Sequence, residues 1–284
     1  MTSPFAVTLH RQWEALGPRR RAGLVVGLPV ALYLLAYFVG PAGGWLAKKA
    51  PVGIVTVGVV EGSVTALLAI GLILIYRTNR FINFAYGSMG SLVGVFFLGL
   101  FIQHHWPFFL ILPLGVVAGG LAGGLIEFLV IRRFFNASRL ILTVASIGLA
   151  QVLGYLELRG ALAVHFTSLT GGFTIPISWR VNLGVVPIRG DQILILIVVP
   201  AVISVLAWFL LRTDAGVAVR AAAENSDRAL LLGIPIRRLS TLVWVAAGAL
   251  ATLTYILKAP FTGVTPGVLN GPDILLPALA AAVV

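Results

Sequence analysis

The sequence predicts an all-α polytopic integral membrane bundle of about eight spans, the last one truncated, with a cytoplasmic N-terminus. Three observations carry that expectation. Of the 284 residues, 59% are hydrophobic and only 10% are charged, whereas a soluble domain runs near ~45–50% apolar and ~25% charged. The apolar residues gather in runs long enough to cross a bilayer core, which takes about 20 residues. The charges fall in short clusters between those runs, 20 Lys and Arg against nine Asp and Glu. A water-soluble globule is excluded, and so is disorder, which needs low hydrophobicity and dense charge. The net charge of +11 offers no continuous basic face for a phosphate backbone, so no nucleic-acid partner is expected. With no cysteine, disulfides and thiolate metal sites are excluded.

Taken in order, the spans fall at Ala22–Val39, Val52–Tyr76, Phe84–Ile102, Pro107–Ile131, Leu140–Leu158, Gln192–Leu211 and Leu239–Leu257. The last apolar run, Ile274–Val284, is too short to cross, so the natural chain is expected to continue beyond it. Residues 1–21 form a basic tail with no small-residue cleavage site after the first apolar run, so a retained span is expected and not a signal peptide. Residues 22–284 form the transmembrane domain, with an external loop at 159–191 and a cytoplasmic loop at 212–240. This topology puts fourteen of the 20 basic residues on the inside, from Arg11 to Arg238, as the positive-inside rule requires.

Between Gly115 and Gly124 glycines recur at spacings of four, a stripe that lets helix backbones approach closely, either within the bundle or at a subunit seam. After the basic turn Arg77–Arg80, the next span opens with Asn83, Tyr86, Gly87 and Ser88. Such polar groups mark either a broken helix end lining a wet cavity or a plain interfacial start, with Asn83 as a cap and Tyr86 as an anchor. Glu61 stands near the middle of its span, where a carboxylate is either hydrogen-bonded to a neighbouring helix or in contact with a solute. Thr143, Ser146 and Gln151 make a weaker polar line. Glu127 is expected to pair with Arg132 or Arg133, while Glu157 and Asp191 are placed in water at outer helix ends. His104 and His105 are adjacent and cannot converge on one metal from a helix face, so no metal site is expected. In the external loop, Phe173 to Trp179 alternate with polar residues and Asn182 offers a turn, which predicts a small hairpin. The cytoplasmic loop opens with Thr213-Asp214, is alanine-rich and breaks at Gly233 and Pro235. It predicts a capped short helix whose apolar residues either meet another protein or lie on the membrane interface.

Ile75-Tyr76-Arg77 with Asn83-Phe84-Ala85-Tyr86-Gly87, Ile131-Arg132-Arg133 followed by Leu142–Leu149, and the Arg220–Pro235 loop together resemble the permease subunits of branched-chain amino-acid ABC importers. The likeness runs from about Val52 to the end. It implies a permease paired with a second permease subunit, two cytoplasmic ATPase subunits and an external solute-binding protein in the plasma (inner) membrane. It also implies that Arg220, Glu224, Asn225 and Gly233 belong to a coupling helix seated on the ATPase. Tyr86 and Ser88 depart from the family's common His or Gln and Glu. The chain has no Gly-x-x-x-x-Gly-Lys-Ser/Thr phosphate cradle, so no cofactor is expected in it, no enzymatic role either, and ATP with Mg belongs to the partner ATPase. Glu61, Asn83, Tyr86, Thr143 and Gln151 are expected to border the solute pathway. The rival is a secondary transporter driven by an ion gradient, with Glu61 as the proton carrier.

Overall fold

The computed structural model describes residues 52–134, 137–166, 169–170, 173, 175–176, 180–183, 186–264 and 278–280, with Leu34 in a helical conformation. Its helices are α1 (Val52–Asn79), α2 (Tyr86–His104), α3 (Phe108–Leu129), α4 (Arg139–Ala163), α5 (Gly190–Arg212), α6 (Asp214–Glu224), α7 (Ser226–Leu231) and α8 (Ile236–Thr262). A 3-10 turn, Ile131–Phe134, follows α3. Among the described residues, six helices are long and apolar enough to cross a membrane, and they coincide with six of the spans expected from the sequence. The basic tail, the first expected span and most of the final apolar run lie outside the described residues.

The helices begin where the chain supplies a start. Pro107 precedes α3, Ser138 Oγ accepts from Ile141 N ahead of α4, and Thr213 Oγ1 accepts from Gly216 N ahead of α6, each satisfying or sparing an orphan amide of the first turn. α1 stops where Arg80 turns left-handed, at φ 59°.

Residues 56–182 and 187–284 form one unit, and its middle is α8. From Leu250 to Leu257 every residue of α8 is buried, the signature of a helix apolar on all faces and enclosed by others. Small residues let α3 come close to it. A Cβ on Gly119 would strike Thr252 and the Gly248 carbonyl, one on Gly123 would strike the Trp244 carbonyl, and one on Gly248 would strike the Gly119 carbonyl. The glycine stripe therefore packs within the chain, the first of the two alternatives left open by its spacing. α8 also packs on α2, and α2 on α4. Val60, Val64 and Leu67 of α1 join Ile195 and Val199 of α5 and Leu250, Leu253 and Leu257 of α8 in one apolar cluster.

In the loop 159–191 the hairpin is displaced from its expected position. β1 (Leu169–Thr170) pairs with β4 (Gly263–Val264), Leu169 opposite Val264. β2 (Arg180–Leu183) pairs with β3 (Val186–Arg189), so Asn182 lies within a strand. Phe173 and Ile175 lie outside the strands and pack onto Phe101, Phe108 and Ile256 at the foot of the loop. Their alternation reflects burial against helices more than strand period.

Candidate functional site

The chain between α1 and α2 carries a polar residue into the bundle, where Phe81, Asn83 and Ala85 are buried. Asn83 is 1% exposed, and its Oδ1 accepts from Ala85 N at 3.0 Å, so it shapes the turn as an Asx residue does. Ser146 of α4 grips the same turn: its Oγ accepts from Phe84 N at 3.1 Å and donates to the Thr143 carbonyl at 2.7 Å. Asn83 thus sits ahead of the helix start, whose N-cap is Ala85 with no side-chain cap, and its buried Nδ2 has no partner among the described residues.

Tyr86 opens α2 fully enclosed, which rules out the role of interfacial anchor. Its ring lies on Gly71 of α1, where a Cβ would overlap the hydroxyl and come within 2.8 Å of Cζ. Gly71 is glycine because Tyr86 occupies the space of its side chain. Among the described residues the Tyr86 and Ser88 hydroxyls have no partner, nor do Thr252 Oγ1, Tyr255 Oη and Trp244 Nε1 on α8. Buried polar atoms are nearly always satisfied by protein or water, so this concentration along α2 and α8 marks a polar seam through an apolar bundle.

Glu157 belongs to that seam, which corrects its expected place in water. It is 1% exposed and accepts from Ser91 Oγ of α2 at 2.6 Å. Asp191, 4% exposed, is also buried and pairs with Arg189 at 3.3 Å. Length along a span set both residues near a helix end, but Ser91 of α2 meets Glu157 there and Arg189 meets Asp191. Glu127 does pair with Arg132, at 3.3 Å, and Thr241 of α8 donates to the same carboxylate at 2.8 Å.

The remaining pathway candidates are not gathered into the seam. Glu61 is exposed on α1 between Gly58 and Gly62, where an added Cβ would meet nothing within 4 Å. Gln151 is exposed on α4, with Gly148 equally open. Thr143 is half-buried and returns its hydroxyl to the Arg139 carbonyl at 2.9 Å.

The loop 212–240 carries two helices where one was expected. Asn225 ends α6 and caps α7, its Oδ1 accepting from Arg228 N at 3.0 Å. α7 closes at Gly233, φ 77°, with Gly233 N bonded to the Leu230 carbonyl and Ile234 N to the Ala229 carbonyl. This Schellman geometry places a left-handed residue at Gly233, which glycine adopts without steric cost. Arg220 and Glu224 are exposed on α6, and Leu231 and Leu232 project at 88% and 79% exposure. Val219, Ala222 and Ala229 are buried beneath them, in the cluster that also holds Tyr86 and Trp244.

One residue not singled out from the sequence ties these parts together. Arg80 sends its guanidinium across to the Ala223 and Glu224 carbonyls, the negative end of α6, where a cation is favoured. Helix α6 is therefore bonded to the turn that leads into Asn83 and Tyr86. Its signal was a basic residue followed at once by a polar helix start, but nothing local names its distant partner.

The fold and site define a multi-pass membrane protein with a polar seam through its helices and the loop helix pair α6–α7 fastened to it. Residues 54–284 match the family model of the permease component of the branched-chain amino acid transport system, and the chain belongs to that family. It resembles the probable branched-chain amino acid transport permease protein LivH of Methanocaldococcus jannaschii, 29% identical over 80% of this chain and 71% of the relative. The LivH permease of the high-affinity system in Escherichia coli is 31% identical over 73% of this chain and 70% of its own length. The corresponding BraD permease of Pseudomonas aeruginosa is 30% identical over 74% and 72%. No solved structure matches the chain. As a permease of this family it is a protein of the plasma (inner) membrane, and membership implies ATPase and solute-binding components as partners.

Proposed function

We propose that this chain, with a second permease subunit, forms the translocation pathway of an ABC importer for branched-chain amino acids or related small solutes. An external solute-binding protein delivers the solute, and two cytoplasmic ATPase subunits supply the energy, holding ATP and Mg themselves. In this reading Asn83 and Tyr86 border the pathway from within the bundle, while Glu61, Thr143 and Gln151 border it from the open faces of α1 and α4. Arg220, Glu224, Asn225 and Gly233 belong to the contact with the ATPase. The tail 1–21 and the loop 212–240 lie in the cytoplasm, and the loop 159–191 faces outward.

The observation that carries the reading is the bond from Arg80 to the end of α6. A displacement of α6–α7 by a closing ATPase pulls on the turn that begins α2, so nucleotide state and pathway are linked through one guanidinium. The outer faces support it as well. The exposed face of α3, from Leu110 through Leu114, Val117, Leu121 and Leu125 to Phe128, is wholly apolar and suits lipid. The exposed faces of α1 and α4 instead carry Glu61 and Gln151 beside open glycines. Polar groups at membrane depth face protein or water-filled space, not lipid.

Gly233→Val tests the coupling part of this reading. A β-branched residue forced to φ 77° carries about 1–2 kcal/mol of strain and disorders the α7 end. Solute-stimulated ATP hydrolysis by the assembled importer is expected to be lost with membrane insertion intact; unchanged stimulation removes the coupling assignment.

A further inference from the structure

At the end of the bundle that carries the basic loops, a cavity of about 270 Å³ opens between α1, α3, α4, α7 and α8. That is below the roughly 300–1,000 Å³ of pockets for drug-sized ligands and suits a compact group. Its walls bring together the guanidinium-bearing residues Arg80, Arg132 and Arg139 with one carboxylate, Glu127. Asn79 and Ser240, hydrogen-bonded to each other at 3.3 Å, add polar edges. The carboxylate is already used, since Glu127 is 2% exposed and holds both Arg132 and Thr241. Positive charge is therefore left over.

The three arginines are not equivalent. Arg80 is committed to α6. Arg132 is fixed in place by Glu127, by Thr241 at 2.7 Å and by the Phe128 ring 4.9 Å below its guanidinium, yet its Nε is buried with no partner among the described residues. Arg139 at the start of α4 makes no side-chain hydrogen bond or ion pair among the described residues, although it lines the same space. Convergent guanidiniums repel unless an anion lies between them, and their planar forks match phosphate oxygens. A basic pocket between spanning helices, at the level of the loops, is the setting in which anionic lipid headgroups bind. Ile131 and Leu142 belong to its apolar wall, and Leu140, next to Arg139 and 74% exposed, offers a track for an acyl chain.

We propose that this cavity binds the phosphate of an anionic membrane lipid, with Arg132 and Arg139 as its ligands. Leu230 of α7 lines the same space, so the bound lipid rests against the helix pair that the ATPase is proposed to move. The proposal concerns binding and is independent of the transported solute.

The test titrates phosphatidylglycerol against phosphatidylcholine on the purified full chain and reads retained lipid by native mass spectrometry. Phosphatidylglycerol is expected to be retained selectively. Arg139→Gln, which breaks no side-chain hydrogen bond or ion pair among the described residues, should lower retention about tenfold, as expected for loss of one charge-assisted contact. An unchanged melting temperature in phosphatidylcholine shows that the fold is kept. Arg212→Gln, on the same side and outside the cavity, should leave retention unaltered. Excess inorganic phosphate separates the two sources of the anion: partial displacement of retained lipid supports a headgroup site. Phosphate binding without selective lipid retention overturns the assignment to lipid. Equal losses in Arg139→Gln and Arg212→Gln reduce the effect to diffuse surface attraction and overturn the proposal, as does equal retention of the two lipids.

Discussion

Arg80→Ala removes the two hydrogen bonds that hold the end of α6 to the α1–α2 turn. A hydrogen bond to a charged group contributes about 1.5–3 kcal/mol when sheltered. Arg80 is exposed, so screening takes the pair toward the lower end of that range. Placement of a cation at the negative end of a helix adds about 0.3–1 kcal/mol. The loss is therefore about 2 kcal/mol, roughly a thirtyfold shift in the equilibrium between docked and undocked α6. Two measurements follow it. Amide exchange across residues 214–224 should accelerate while exchange across the buried part of α8 stays slow, and solute-stimulated ATP hydrolysis by the assembled importer should fall. Arg80→Lys should recover part of both, because an ammonium restores the charge but not the fork. If Arg80→Ala leaves α6 exchange and stimulated hydrolysis as they were, the guanidinium is not the link, and the route from helix pair to pathway must be redrawn.

The close approaches make further predictions. Gly123→Val drives a branched side chain into the Trp244 carbonyl and Gly248, and overpacking of this kind costs about 1–3 kcal/mol or more; the unfolding midpoint in detergent should drop, whereas Gly58→Val, which meets open space, should leave it within error. Gly71→Ala should cost about 1–3 kcal/mol by displacing Tyr86. Tyr86→Phe, which removes the hydroxyl nearest the new methyl, should recover part of that, and the double-mutant cycle should show coupling well above additivity.

Most of the fold could be read from the chain because a spanning helix announces itself by length and apolarity. The six described spans are therefore found within a few residues of their expected ends. The glycine stripe was equally legible as a close contact, but its partner was not: Gly248 sits more than a hundred residues away, in a helix whose small residues give no hint of which neighbour they face. Depth along a span misjudged Glu157, since burial depends on which helices cover a position, and Ser91 of α2 covers this one. The loop hairpin was displaced for a related reason. Phe173 and Ile175 alternate with polar residues because they anchor the loop on α2, α3 and α8, and that pattern imitates a strand. At the site, Asn83 and Tyr86 were visible as polar groups out of place in an apolar run. Arg80 looked like one more basic loop residue, because its meaning lies in carbonyls 143 and 144 positions further on.

The most direct test of the central claim is reconstitution in liposomes. The chain alone should neither concentrate leucine nor hydrolyse ATP, and ATP-dependent uptake should appear only when the second permease, the ATPases and the solute-binding protein are added. Uphill uptake by the chain by itself, driven by an ion gradient and indifferent to ATP, would contradict the account.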